Sequence, residues 1–173
     1  IIIDAKSGVS GAGRKLALTS HFVEANENVS PYGIGHAHRH VPEIEQEVCA
    51  AAGAMKHIVF SPHLVPINQG LLSTIYVQPK EPLDANALNA LYQQAYEAEP
   101  FVDVMPAGSQ PETRSVKGAN ICRIAVYRPL GQRTVVILSV IDNLVKGAAG
   151  QALQNFNIMH GFAEGAGLDG IAL

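Results

Sequence analysis

Residues 121–141 read ICRIAVYRPLGQRTVVILSVI, two strand-like runs, Ile121 to Arg128 and Arg133 to Ile141, joined by Pro-Leu-Gly-Gln. Proline and glycine in so short a connection reverse the chain, and the β-branched flanks suit a pleated surface, so an antiparallel hairpin is expected. A hairpin alone is marginal in water and needs further strands or helices beside it. Further strands are expected over Ile1 to Ala5, His57 to Ser61 and Leu71 to Pro79. In HAHRHVPEIEQEVCAAAG, Pro42 suits the first turn of a helix, Glu43 and Glu45 favour its positive end, and Gly53 closes it. Ile44, Val48, Ala51, Ala52 and Met55 would give that helix its buried face. Asp84 caps a second helix with Leu88, Leu91, Tyr92 and Ala95 inward, and an alanine-rich helix is expected from Asn143 to about His160. Strands with short turns and interspersed helices predict an α+β domain: a mixed, mostly antiparallel sheet with helices packed on one face.

The chain has 173 residues, 47% of them hydrophobic and 16% charged, with a net charge of −3. That suffices for a globular core and argues against disorder. No basic cluster points to nucleic acid or an anionic membrane as partner. The longest apolar run, Thr134 to Ile141, is too short to span a bilayer. Cys49 and Cys122 are the only cysteines, which fits a reducing compartment, and a cytoplasmic location is expected. The chain opens inside the strand-like run IIIDA without a methionine, so it reads as a piece of a longer protein.

After that strand comes SGVSGAGRK, Ser7 to Lys15. Gly8 and Gly13 match the spacing of a phosphate loop, but Arg14 stands where its lysine belongs and no serine or threonine follows it to supply the magnesium-binding hydroxyl. The dinucleotide pattern G-x-G-x-x-G fails as well, since Leu16 replaces its third glycine. Two readings stay open: a plain turn, or a flexible loop whose backbone N–H groups and Arg14 bind an anion.

His36, His38 and His40 alternate, so on an extended backbone their rings would share one side. Such a row serves acid–base catalysis, binds zinc with Glu43 or Glu45, or is an inert exposed cluster. Cys49 in a helix and Cys122 in a strand both read as packing residues, and His63, between prolines, as a structural loop residue. In DNLVKGAAGQALQN, Asp142 and Asn143 suit a helix start, while Gly147, Gly150 and the neighbouring alanines make one helix side nearly flat.

The segments DAKSGVSGAGRK, YGIGHAHRHVPEIEQ, SPHLVPINQGLLSTIY, YEAEPFV, PETRSVKGAN and DNLVKGAAGQALQNFN, in this order, resemble the N-acetyl-γ-glutamyl-phosphate reductases of the semialdehyde dehydrogenase family. The resemblance covers nearly the whole chain. It implies an NADPH-dependent enzyme of arginine biosynthesis that reduces an acyl phosphate to the semialdehyde through a cysteine thioester. By position it makes His38 the acid–base residue, with His40 as second choice. Tyr32, Arg39, His40 and Arg14 would bind substrate, a guanidinium suiting a carboxylate or phosphate. Ser7, Gly8, Ser10, Gly11 and Asn143 would line the nicotinamide side of the site, and no metal is implied. The family's nucleophilic cysteine and NADP-binding domain would both precede Ile1, and neither Cys49 nor Cys122 matches that cysteine. Gln69 replaces an arginine usual in the family, one that would fix substrate phosphate.

The resemblance further implies a glyceraldehyde-3-phosphate-dehydrogenase-like catalytic and dimerisation domain over residues 1–141. Residues 142–173 would pack back on the nucleotide domain, and the protein would be a homo-oligomer. By itself the chain is expected to be inactive, with an apolar helix face and a sheet surface lacking partners. Alternatives are a reductase for a longer or carrier-bound acyl phosphate, a non-catalytic assembly module, and a metal-dependent hydrolase built on the three histidines.

Overall fold

The hairpin forms as β6 (Cys122–Tyr127) and β7 (Val135–Ile141), antiparallel, with Cys122 opposite Ile141 and Tyr127 opposite Val136. The computed structural model describes residues 1–81, 83–129, 131 and 133–170, so Leu130 and Gln132 of the turn and the last three residues lie outside the described part. Around the hairpin are β1 (Ile2–Ser7), β2 (Ser30–Pro31), β3 (Val59–Leu64), β4 (Leu71–Val77) and β5 (Val102–Val104). They form one sheet in the order β2-β3-β1-β4-β7-β6-β5. The β1/β3 and β5/β6 pairs are parallel and the other four antiparallel. The expected mixed, mostly antiparallel sheet is what the chain builds.

Alternation along each strand separates the two faces. On one lie Ile124, Val126, Val135 and Ile137, which with Leu88 make the core cluster, joined by Ile75, Tyr92 and Tyr96. Leu88, Tyr92 and Tyr96 come from α3 (Ala85–Tyr96), capped by Asp84 accepting from the Ala87 N–H at 2.8 Å. The inward row therefore differs from the expected one: Leu91 is 51% exposed and Ala95 is exposed, because the sheet meets α3 along the i, i+4, i+8 row. The other face carries Ile2, Val59 and Tyr76 side by side in register, 47%, 57% and 37% exposed among the described residues.

The helix α2 (Val41–Ala52) starts with Pro42 in its first turn and ends at Gly53, φ 61°. Its expected buried face is covered only in part. Val41 is buried and Ile44 and Val48 half-buried, whereas Ala51, Ala52 and Met55 face solvent. The terminal helix also departs from expectation. Residues Val145–Ala149 form a π-turn, with Gly147 N–H on Asp142 O and Ala149 N–H on Leu144 O, and only then does α4 (Gly150–Met159) begin. The Asp142 carboxylate already takes the Leu144 and Val145 N–H groups, so the first turn widens. A single-turn helix, α1 (Phe22–Ala25), lies in the connection after the glycine loop.

Candidate active site

The glycine loop leaves β1 at Ser7 and lies along residues 65–70. Gly8 N–H donates to Gly70 O at 2.9 Å, Val9 N–H to Ile67 O at 2.9 Å and Ser10 N–H to Asn68 O at 3.1 Å. A Cβ on Gly8 would stand 2.9 Å from both Ile67 O and Gln69 N, so this glycine permits two backbones to touch. Gly11 and Gly13 donate within the loop, to Gly8 O and Ser10 O. These amides are engaged, which corrects the reading of the loop as a backbone anion cradle. Its remaining polar groups are side chains. Ser10 Oγ accepts from Asn143 Nδ2 at 2.8 Å, while Asn143 Oδ1 accepts from the Gly70 N–H at 2.6 Å. Ser7 O–H donates to Gly8 O at 3.3 Å, and a Cβ on Gly11 would come within 3.0 Å of Ser7 Oγ and 3.7 Å of Asn143 Nδ2. Ser7, Gly8, Ser10, Gly11 and Asn143 thus converge from 133 residues apart in sequence. Arg14 is exposed beside an open groove that Ser10, Lys15, Ser20 and Asn68 also line.

Behind this loop stands a group that the sequence marked only as a helix start. Asp142 is completely buried. Its Oδ2 accepts from Gln69 Nε2 and Gly118 N–H, both at 2.6 Å, and its Oδ1 from Leu144 N–H at 2.8 Å and Val145 N–H at 3.1 Å. Burial pushes this carboxyl up, but the four donors outweigh it and hold it below the ordinary carboxylate value. Gln69 Nε2 is thus held by Asp142, which ties the 66–70 loop to the buried carboxylate. Within a single sequence only the Asp-Asn pair hinted at this centre.

The histidines do not form the expected row. Residues 33–40 run through successive turns, with Gly33, Gly35 and His36 at φ 58°, 73° and 64°, so the backbone is not extended. His36 is exposed, while His38 and His40 meet edge to face at 4.9 Å between centroids. Among the described residues no three His, Cys, Asp or Glu side chains gather as a metal centre. His38 is held by Tyr32 at 5.5 Å and by Phe60 of β3 at 5.1 Å. Burial, then the neighbouring His40 and Arg39, push its imidazole below the usual histidine value, and burial pushes the Tyr32 hydroxyl up. Arg39 and His40 are exposed beside it, His40 at the start of α2. Phe60 is a positioning residue missed from the sequence, where an aromatic in mid-strand reads as core.

The two groups sit at different levels of the sheet. Ser30 pairs with Leu64, which lies beside Ser7, but β2 runs antiparallel to β3, so Tyr32 N–H reaches Pro62 O and His38 packs on Phe60. The partner of Phe60 in β1 is Ile3, about 13 Å along the strand from Ser7, where the glycine loop begins. The other candidates lie elsewhere. Cys49 Sγ accepts from the Lys56 N–H at 3.1 Å. Cys122 is paired with Ser139 Oγ at 3.3 Å, and burial raises its thiol. His63 is in β3 rather than a loop, 3.2 Å from Asp4 Oδ1, because β3 continues through Pro62, whose carbonyl takes the Tyr32 N–H.

Over residues 1–143 the chain matches the family model described as semialdehyde dehydrogenase, dimerisation domain. It is 53% identical over 173 residues to the N-acetyl-gamma-glutamyl-phosphate reductase of Laribacter hongkongensis, covering 100% of this chain and 49% of that protein. The protein of that name from Pseudomonas aeruginosa is 54% identical over the same length and shares. The chain spans about half the length of the curated relatives it matches. Among solved structures, aspartate semialdehyde dehydrogenase II from Vibrio cholerae superposes with a TM-score of 0.69 at 16% identity, over 94% of this chain and 56% of that one. A probable aspartate-semialdehyde dehydrogenase from Pseudomonas aeruginosa does so at 0.66 and 17%, over 93% and 56%. These two likenesses speak for the fold alone. The chain belongs to the semialdehyde dehydrogenase dimerisation-domain family.

Proposed function

We propose that this chain is the catalytic and dimerisation part of an NADPH-dependent reductase of arginine biosynthesis, converting N-acetylglutamyl 5-phosphate to the semialdehyde and phosphate. The observation that carries this is identity of 53% along the whole chain to a reductase of that name. His38 is the acid–base residue, and Tyr32, Arg39, His40 and Arg14 bind substrate. Ser7, Gly8, Ser10, Gly11 and Asn143 face the nicotinamide. The donor chemistry fits such a group: Ser10 Oγ accepts from Asn143 Nδ2, so its own O–H remains to donate to a carboxamide oxygen, with Asn143 holding it in place. When bound, the cofactor supplies hydride. Its main binding domain and the nucleophilic cysteine belong to the half of the reductase that this chain does not span. In this reading residues 1–141 form the catalytic domain and 142–173 pack on the nucleotide domain, in a cytoplasmic protein. No helix among the described residues is long and apolar enough to cross a membrane.

The test is a chimera with residues 1–173 in place of the matching half of the Laribacter relative. NADPH oxidation dependent on N-acetylglutamyl phosphate is expected from the chimera and none from the chain alone, since both cysteines are bonded away from His38. His38→Asn in the chimera should lower turnover about 10²–10⁴-fold. A folded chimera inert towards this substrate would overturn the reading.

The open sheet face with Ile2, Val59 and Tyr76 is the proposed surface for a second copy. Val59→Glu should turn dimers into monomers in light scattering while circular dichroism stays unchanged. Dimers that persist would exclude this face.

A further inference from the structure

The His38 ring has a fixed orientation. Tyr32, Phe60 and His40 hold it, and a Cβ on Gly33 would lie 3.0 Å from His38 Cβ and 3.2 Å from Cδ2, so the Cδ2 edge lies against bare backbone. On the other edge the main-chain N–H of His40 points at His38 Nδ1, 3.2 Å away. A ring nitrogen that accepts an N–H uses its lone pair and carries no proton. A proton on Nδ1 would set two hydrogens against each other across that gap. The His40 amide cannot turn away, because Val41 N–H is bound to His38 O and Ile44 N–H to His40 O on either side of the same turn.

We infer that the His40 backbone amide locks His38 as the neutral imidazole with its proton on Nε2, so that His38 meets its substrate as a hydrogen-bond donor. The role, though not the tautomer, rests on the function proposed above. In that setting His38 donates a hydrogen bond from Nε2 to a substrate oxygen, and it passes that proton on only when Nδ1 takes one from solvent, since a neutral imidazole that lost its single N–H would be an imidazolate. The backbone N–H at residue 40 is then a positioning group, and the His40 side chain is not required for the lock. Burial of the ring, then the neighbouring His40 and Arg39, act in the same direction, disfavouring the imidazolium.

The experiment is a long-range ¹H–¹⁵N correlation spectrum of the full chain with ¹⁵N-labelled histidine, near pH 8. The His38 signals are identified by their loss in His38→Gln. A pure Nε2–H pattern is expected for His38, against the tautomer mixture shown by exposed His21 in the same spectrum. His40→Ala, which keeps the amide, should preserve the pattern. His40→Pro, which removes it, should move His38 towards the mixture and shift its protonation to higher pH. A His38 that is Nδ1–H, or as mixed as His21, overturns the inference, as does a folded His40→Pro with the pattern intact. Should His40→Pro not fold, the wild-type spectrum decides by itself. An inert chimera would sink the functional reading and leave this result standing.

Discussion

Asp142→Ala is expected to destabilise the chain by about 3–5 kcal/mol, because it orphans buried donors built around one buried charge. Four N–H groups point at this carboxylate, from Gln69, Gly118, Leu144 and Val145. Folding leaves a net margin of about 5–15 kcal/mol, so the loss is a large share of it. Asp142→Asn keeps one oxygen but turns an amide N–H₂ towards two donors, and should cost nearly as much. Urea unfolding at pH 7 measures both, and a change below about 1 kcal/mol would mean that water replaces the carboxylate at its donors. The pH dependence has a definite sign. A carboxyl held below its ordinary value of 3.8 contributes fully above that value and loses its contribution as pH falls through the folded one. The gap between wild type and Asp142→Ala should therefore be constant near neutrality and close in acid. Hydrogen exchange adds a local readout: the amides of Gly8, Val9 and Ser10, which bond to the 66–70 loop, should lose protection in Gln69→Met before the rest of the sheet does.

Gly150→Ala reverses the usual rule for helices. Alanine is favoured over glycine by about 1 kcal/mol inside a helix, and Gly150 has ordinary helical angles of φ −66° and ψ −42°. Its Cβ, however, would fall 2.4 Å from Asn120 Oδ1 and 2.8 Å from Val145 O and Cγ1. Asn120 is 1% exposed and tied through its Nδ2 to Gln154 at 3.0 Å, which is itself bonded to Lys146 and Glu164. It cannot swing aside without breaking that network, so overpacking wins and a net loss of about 2–3 kcal/mol is expected. In a thermal melt this is a fall of roughly 5–10 °C for a chain of this size. Gly147→Ala is the control, since its Cβ would meet nothing nearer than 3.3 Å and should change stability by less than about 1 kcal/mol. Equal effects at the two positions would mean that the contact with Asn120 relaxes freely.

What the sequence made legible was whatever depends on short-range chemistry. The hairpin, the Pro42 and Gly53 ends of α2 and the Asp84 cap all follow from residues within a turn of one another. The alternation of His36, His38 and His40 misled because alternation has meaning only on an extended chain, and Gly33 and Gly35 bend this one. The inward row of α3 was misjudged since both rows of the helix are apolar and the sheet alone selects between them. His63 entered a strand against the signal of two flanking prolines, because its strand is held by β1 from a distant part of the chain. The Asp142 centre was beyond reach for the same reason: Gln69 lies 73 residues and Gly118 24 residues away.

The place of β1 in the middle of the sheet has a consequence for the order of assembly. Within these 173 residues β1 is synthesised before its partners: it pairs on one side with β3 and on the other with β4, and β4 in turn waits for β7. At roughly 5–20 residues per second of synthesis, β1 remains without its neighbours for several seconds, exposing both backbone edges. Non-local pairing of this kind makes folding slow, and the waiting edge is where a second nascent chain can add. Deleting residues 1–7 would accordingly divide the sheet into two parts, between β3 and β4.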